Sequence, residues 1–185
     1  MIASNHATAA ELEAGLDFIR HSPKDGGTLE LIVLRPQINE RETPVEATLD
    51  LVAGLVGDNW KSHGSSRTPD GSADPETQIT LMNSRAAAVI ARSREGWSLA
   101  GDQLFVDLDL SGENLPPGTR LAVGAAVIEV TRPPHTGCKK FMARFGPEAL
   151  HFVNSALGQE LHLRGINAKV VQGGLIRTGD AVKKI

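Results

Sequence analysis

The chain has no tyrosine, only 4% aromatic residues and a single cysteine among 185 residues. Without tyrosine there is no phenolic acid/base group, and so few aromatics cannot build a stacking platform for single-stranded nucleic acid. One thiol, Cys138, excludes an internal disulfide, a CxxC redox pair, a multi-thiolate zinc site and an iron–sulfur cluster ligated within one chain. Excess positive charge is also lacking. The formal net charge is −3, which gives no general attraction to phosphate backbones or anionic membranes. No apolar run approaches the roughly 20 residues needed to cross a bilayer. The first twenty residues carry Glu11, Glu13 and Asp17 where a signal peptide would be apolar or basic. These features predict a cytoplasmic protein with no membrane or nucleic-acid partner.

At 41% hydrophobic and 22% charged residues, the composition is that of one domain with an aliphatic core. Leu12, Leu16 and Ile19 recur at helical spacing, so an N-terminal helix and linker are predicted over 1–27, with the main domain over 28–185. Thr28 to Arg35 reads as a strand buried on both faces, stopped by Pro36. Gln37 to Asp74 is rich in Gly, Ser, Pro and Asp and is expected to be partly a long loop, either mobile or a lid. Thr77 to Met82 predicts a strand, and Asn83 or Ser84 can cap the alanine-rich helix that follows.

Leu104, Val106 and Leu108 alternate, which would leave Asp107 and Asp109 exposed on a half-buried strand. A hairpin is expected across Gly124-Ala125, a short helix over Lys139 to Phe145 ended by Gly146, and a further helix from Pro147. A last hairpin across Gly173-Gly174 and a terminal strand over Ala181 to Lys184 complete the pattern. Many short strands with few helices predict a mainly β, α+β fold: a small closed β-barrel with helices at its rim, closure removing exposed strand edges.

Chemistry concentrates in Thr131-Arg132-Pro133-Pro134-His135-Thr136-Gly137-Cys138-Lys139-Lys140. Cys138 falls where a helix begins, with His135 three residues before it and two lysines after it. Partly positive backbone N–H groups and cationic neighbours favour a thiolate that acts as a nucleophile or soft-metal ligand. The residues alone leave open a buried cysteine of no chemical role. No HxH, HExxH, Walker loop, GxGxxG or GxSxG motif is present. Arg35, Lys61, Arg67, Lys139, Arg144 and Arg164 could converge on an anion, since arginine's fork suits phosphate.

PPHTGCKKFMARFG from Pro133 to Gly146 resembles the cysteine motif of the MOSC family, the C-terminal domain of molybdenum-cofactor sulfurases. LRGINAKVVQGG with Gly179-Asp180, Leu115 to Leu121 with Gly124, and Gly57-Asp58-Asn59-Trp60 resemble three further family anchors in the same order. Gly137 stands where many members have proline, and Gly101-Asp102-Gln103-Leu104 where many read Arg-Glu-Asn-Leu.

The resemblance implies a barrel of the MOSC, pyruvate-kinase-barrel-like kind. It implies that Cys138 ligates the molybdenum of a pterin cofactor or carries sulfur, with His135 beside it as a catalytic residue. Lys61, Arg67, Thr136, Lys139 and Arg144 are then the expected cofactor-binding residues. By the same resemblance the protein would be a molybdenum-dependent reductase of N-hydroxylated compounds fed by an external electron donor, or a sulfur carrier served by a sulfur-donor protein. Pyridoxal phosphate is not expected, because no lysine sits in a recognisable Schiff-base context, and the extra domains of larger relatives do not fit in 185 residues with one cysteine. A reading of another class is a non-catalytic barrel that binds a small ligand or a partner protein.

Overall fold

The computed structural model describes residues 6–185; the first five residues of the expected N-terminal segment lie outside the described residues. Seven strands close into a barrel: β1 (Gly27–Ile32), β4 (Ile79–Asn83), β5 (Leu104–Asp107), β6 (Arg120–Val123), β7 (Ala126–Val130), β8 (Ile166–Gln172) and β10 (Ala181–Lys184). The order is β1-β10-β6-β7-β8-β4-β5, with β5 paired back onto β1. All neighbours are antiparallel except β4 and β5. A parallel pair needs a crossover. Helix α4 (Ser84–Ala91) and a 3-10 turn (Trp97–Ala100) supply it, and Asn83 caps α4 by accepting from the Ala86 N–H.

Two apolar layers result. Leu29, Ile32, Leu81, Leu104, Val106, Leu121, Ile128, Ile166 and Val182 fill the barrel, a wholly aliphatic interior. The buried aromatics Trp97, Phe105, Phe141, Phe145 and Phe152 lie outside it, between the barrel wall and the helices. Strand β5 is therefore buried on both faces: Leu104 and Val106 point inward while Phe105 meets Trp97 at 5.9 Å between ring centroids. Asp107 is half-buried in an ion pair with Arg85 at 2.8 Å, not freely exposed as the alternation suggested.

Four sequence expectations need correction. The N-terminal helix is split at Gly15 into α1 (Ala9–Ala14) and α2 (Leu16–Arg20). The stretch from 37 to 74 carries β2 (Glu46–Asp50), β3 (Gly54–Leu55) and a short helix α3 (Trp60–His63). The segment after Gly173 does not fold back as a hairpin. Both edges of β8 are already occupied by β4 and β7, so β9 (Gly174–Arg177) turns away and pairs with β2 in a separate sheet of order β3-β2-β9. The strand expected to Arg35 ends at Ile32, and its Glu30 remains half-buried beside Arg94.

Helix α5 (Lys139–Asn154) begins directly after Cys138 and is broken at Gly146, whose φ of 87° only glycine adopts without strain. Pro147 restarts it, and α6 (Ala156–Glu160) follows. Phe141, Phe145, Ala149, Phe152 and Val153 hold α5 against the barrel's outer layer. This packing sets Cys138 at the barrel rim.

Candidate functional site

The residues between β7 and α5 have no regular structure of their own, so their shape depends on side-chain contacts. Thr131 donates to the Glu76 carbonyl, and Asn167 Nδ2 to the Pro133 carbonyl at 3.0 Å. Asn154, at the far end of α5, binds both backbone groups of Gly137. A Cβ at Gly137 would come within 2.7 Å of Leu150 and 2.9 Å of Val153, so glycine permits this close approach. A proline here would have no N–H to give Asn154. Cys138 occupies the cap position before α5 with extended backbone, makes no capping bond through its side chain, and is exposed. The buried-cysteine alternative is thereby excluded.

Cys138 opens onto a cleft with two adjoining lobes of about 220 and 310 Å³, which share Arg35, Asn59, His63 and His135. Cys138, Lys140, Arg41, Arg144 and Arg164 line the smaller lobe, and Arg67 and Thr136 the larger. Neither lobe has an aspartate or glutamate among its lining residues. Of the sequence candidates, His135, Cys138, Thr136, Arg67 and Arg144 are thus brought together. Lys61 and Lys139 are not among the lining residues. Lys61 instead lies close enough to Asp50 to act on its charge, and Lys139 is exposed at the start of α5.

Two buried carboxylates hold this cationic wall from behind. Asp58, with its side chain fully buried, accepts from Arg35 Nε at 2.8 Å and Nη2 at 2.7 Å, from the backbone N–H groups of Arg35 and Trp60, and from Gln103 Nε2. Arg35 also donates to the Gly101 carbonyl. This network ties the segment from Asp58 to Trp60 to the barrel, and part of the expected loop forms a wall of the cleft. Asp102 is the second carboxylate. It accepts from Arg164 Nη1 and lies 2.8 Å from His135 Nε2. Burial alone would raise its pKa, but the guanidinium and the imidazole hold it down to about 2.

His135 is shifted down from its ordinary value, first by burial and then by the nearby Arg164 guanidinium, with Asp102 opposing. A neutral imidazole at neutral pH follows. Arg41, which the sequence reading did not single out, is also shifted down, by burial and by repulsion from Arg144 and Arg35. Its Nη2 and Arg144 Nη1 converge within 3.9 and 3.7 Å of the point where a Cβ on Gly101 would stand. Carbonyls of Glu40, Ser98 and Leu99 hold the two side chains. Two converging guanidinium groups with no facing carboxylate suit a dianionic oxyanion.

The chain has known structural counterparts. YuaD from Bacillus subtilis superposes with a TM-score of 0.59 at 19% identity, covering 85% of this chain and 94% of that one. YiiM from Escherichia coli superposes with a TM-score of 0.55 at 17% identity, covering 85% and 69%. YiiM from Geobacillus stearothermophilus does so with a TM-score of 0.52 at 12% identity, covering 87% and 73%. At these identities the likeness is one of fold. No curated protein sequence matches the chain. Among the described residues no helix is long and apolar enough to cross a membrane. A family model described as the MOSC domain matches residues 70–183, which include five of the seven barrel strands whole, most of β10, His135 and Cys138, and the chain therefore belongs to the MOSC domain family.

Proposed function

We propose that the cleft holds the molybdenum cofactor, with Cys138 as the protein's sulfur ligand to the metal and the cationic wall as the seat of the cofactor's phosphate. The observation that supports this most is one exposed thiol at a cleft lined by arginines and lysine and by no carboxylate. The donor set fits such a group. No cluster of three or more His, Cys, Asp or Glu able to hold a bare metal ion occurs among the described residues. A soft metal delivered by an organic ligand with its own donors needs only one thiolate from the protein. A phosphate needs a few guanidinium groups, and Arg41 and Arg144 already converge at Gly101.

When bound, the cofactor would supply two-electron redox chemistry at the metal. The protein's own contributions are positional and electrostatic. Arg41 and Arg144 bind and orient the anionic end, and relief of their mutual repulsion favours the bound state. The Asn154 grip on Gly137 fixes the backbone that presents the thiol. His135, neutral and backed by Asp102, stands in the same lobe as Cys138 to receive a proton. Reduction of an N-hydroxylated compound would draw its electrons from a partner protein.

The exposure of Cys138 favours a second reading, in which a donor protein reaches the thiol and loads it with persulfide sulfur. Molybdenum and pterin content of protein purified from a cofactor-competent host separates the readings. Both are expected in stoichiometric amount. Persulfide without metal would favour the sulfur carrier, and neither group would leave a non-catalytic binding barrel.

A further inference from the structure

The larger lobe of the cleft presents polar groups that no other part of the described chain uses. Asn167 of β8 borders it and is only 3% exposed. Its Nδ2 donates to the Pro133 carbonyl, which can only accept, so the orientation of the amide is fixed and Oδ1 is left with no donor among the described residues. The one sealed-in side-chain polar atom that lacks a partner among those residues is Arg164 Nε. Asn167 Oδ1 is therefore reachable, and the lobe is the space that Asn167 borders.

Arg67 borders the same lobe. Arg35 and Arg164 are each committed to a buried carboxylate, whereas the Arg67 guanidinium has no ion pair or hydrogen bond among the described residues. Only its backbone N–H is engaged, by Ser65 Oγ at 3.1 Å. The carboxylates nearest in sequence are occupied: Asp70 accepts from the N–H and hydroxyl of Ser72, and Asp74 from the Glu76 N–H. The loop that carries Arg67 is closed on itself by the Ser65 N–H on the Gly71 carbonyl and the Thr68 hydroxyl on the Ser72 carbonyl.

Trp60 gives the lobe an aromatic surface. It is half-buried, with Cε3 3.5 Å from the point where a Cβ on Gly54 would stand. At about 310 Å³ the lobe is at the small end of small-molecule sites. It holds no carboxylate and has Arg35 as a second cation, so a cationic ligand is disfavoured. The anion it suits differs from that of the smaller lobe. Arg41 and Arg144 converge as a dianion requires, while Arg67 is a single fork matched to one carboxylate. Cys138 and the converging pair line only the smaller lobe, so a cofactor seated there leaves the larger one open beside it.

We propose that the larger lobe seats the substrate and that Arg67 makes it selective for flat N-hydroxylated compounds carrying a carboxylate, with Asn167 Oδ1 accepting from an N–H or O–H of the same molecule. Arg67 is then a specificity residue for the substrate and not the cofactor-binding residue that the family resemblance implied. The proposal rests on the proposed function in placing the cofactor in the smaller lobe.

The test uses the full chain without cofactor and two probes of one shape: 4-carboxybenzohydroxamic acid, an anion at neutral pH, and its uncharged 4-carbamoyl analogue. Each is titrated into ¹⁵N-labelled protein and followed by NMR. The acid should bind on the order of tenfold more tightly than the amide and should shift the Trp60 indole and Asn167 side-chain amide signals. Arg67→Gln, a change at an exposed position, should bind the two probes alike. Arg144→Gln, in the smaller lobe, should keep the preference for the acid.

No binding of the acid, equal affinities in the wild type, or a preference that survives Arg67→Gln would each overturn the assignment. So would a preference lost in Arg144→Gln instead, or binding that leaves the Trp60 and Asn167 signals unmoved. No step of the test involves metal. Protein that purifies without molybdenum from a cofactor-competent host would remove the proposed function and leave an Arg67-dependent carboxylate site standing, whereas molybdenum-loaded protein with no such preference would keep the function and lose this inference.

Discussion

Asn154 grips Gly137 from both sides: its Oδ1 accepts the Gly137 N–H at 2.8 Å and its Nδ2 donates to the Gly137 carbonyl at 3.2 Å. The last residue of α5 thus fixes the residue before Cys138 at the helix's other end. The thiol's position depends on a packed helix as well as on the irregular segment that carries it.

Asn154→Ala should leave two backbone groups of Gly137 without protein partners and cost about 1–3 kcal/mol. Gly137→Ala should cost about as much, 1–3 kcal/mol, by forcing a methyl into Leu150 and Val153. Urea unfolding checks both. Wild-type midpoints would mean that the segment is held in some other way.

The depressed pKa of His135 has a defined consequence for stability. As pH falls below about 6.5, the unfolded chain takes up a proton that the folded ring resists, so folding weakens with acid by up to about 1.4 kcal/mol per pH unit. Asp102, held down to about 2, contributes stability that is present above about pH 3.9 and lost as pH falls toward its folded value. The window from pH 7 to 5 therefore reports on His135 and not on Asp102. His135→Gln should lower this acid sensitivity in urea melts at pH 7.5 and 5.5. Equal pH dependence in the two proteins would contradict a half-buried His135 that resists protonation.

Much of the barrel was legible because strand patterning and glycine turns are local signals. Asn83 as a cap, the break at Gly146 and the restart at Pro147 are set by residues next to one another. What failed was non-local. Nothing near Gly173 tells that both edges of β8 are taken, so a hairpin was expected where β9 joins β2. Nor does the sequence between 37 and 74 show that β2 has β9 as its partner.

The site was legible through one segment. Pro133 to Lys140 announced Cys138 and His135, while the residues that give them their setting come from elsewhere in the chain. Asp102 falls where many family members carry glutamate, but only the fold shows it fully buried beside Arg164, 62 residues away, with His135 on its other oxygen. Arg41 lies in a segment read as loop and joins Arg144 across 103 positions. Charge and nearness in sequence to the motifs make Lys61 and Lys139 candidates, but neither lines the cleft.

Arg41 and Arg144 should matter for anion binding more than those two lysines. Arg41→Gln or Arg144→Gln should each weaken phosphate binding about tenfold, the loss of one charge-assisted hydrogen bond of about 1.4 kcal/mol. Lys61→Gln and Lys139→Gln should leave it near wild type. Titration with inorganic phosphate followed by calorimetry reads all four, and equal effects at all four positions would point to diffuse attraction in place of a built seat.

If Cys138 is the protein's ligand to the metal of a cofactor seated in the cationic cleft, Cys138→Ser should lose that metal without losing the fold. Serine is close to cysteine in size and Cys138 is exposed, so the fold should be kept. A hydroxyl does not replace a thiolate on a soft metal. The measurement is molybdenum content by elemental analysis of wild type and Cys138→Ser purified side by side from a cofactor-competent host. Ligation by Cys138 predicts about one molybdenum per chain in the wild type and loss of most of it in the folded variant. Equal molybdenum in both proteins would contradict it.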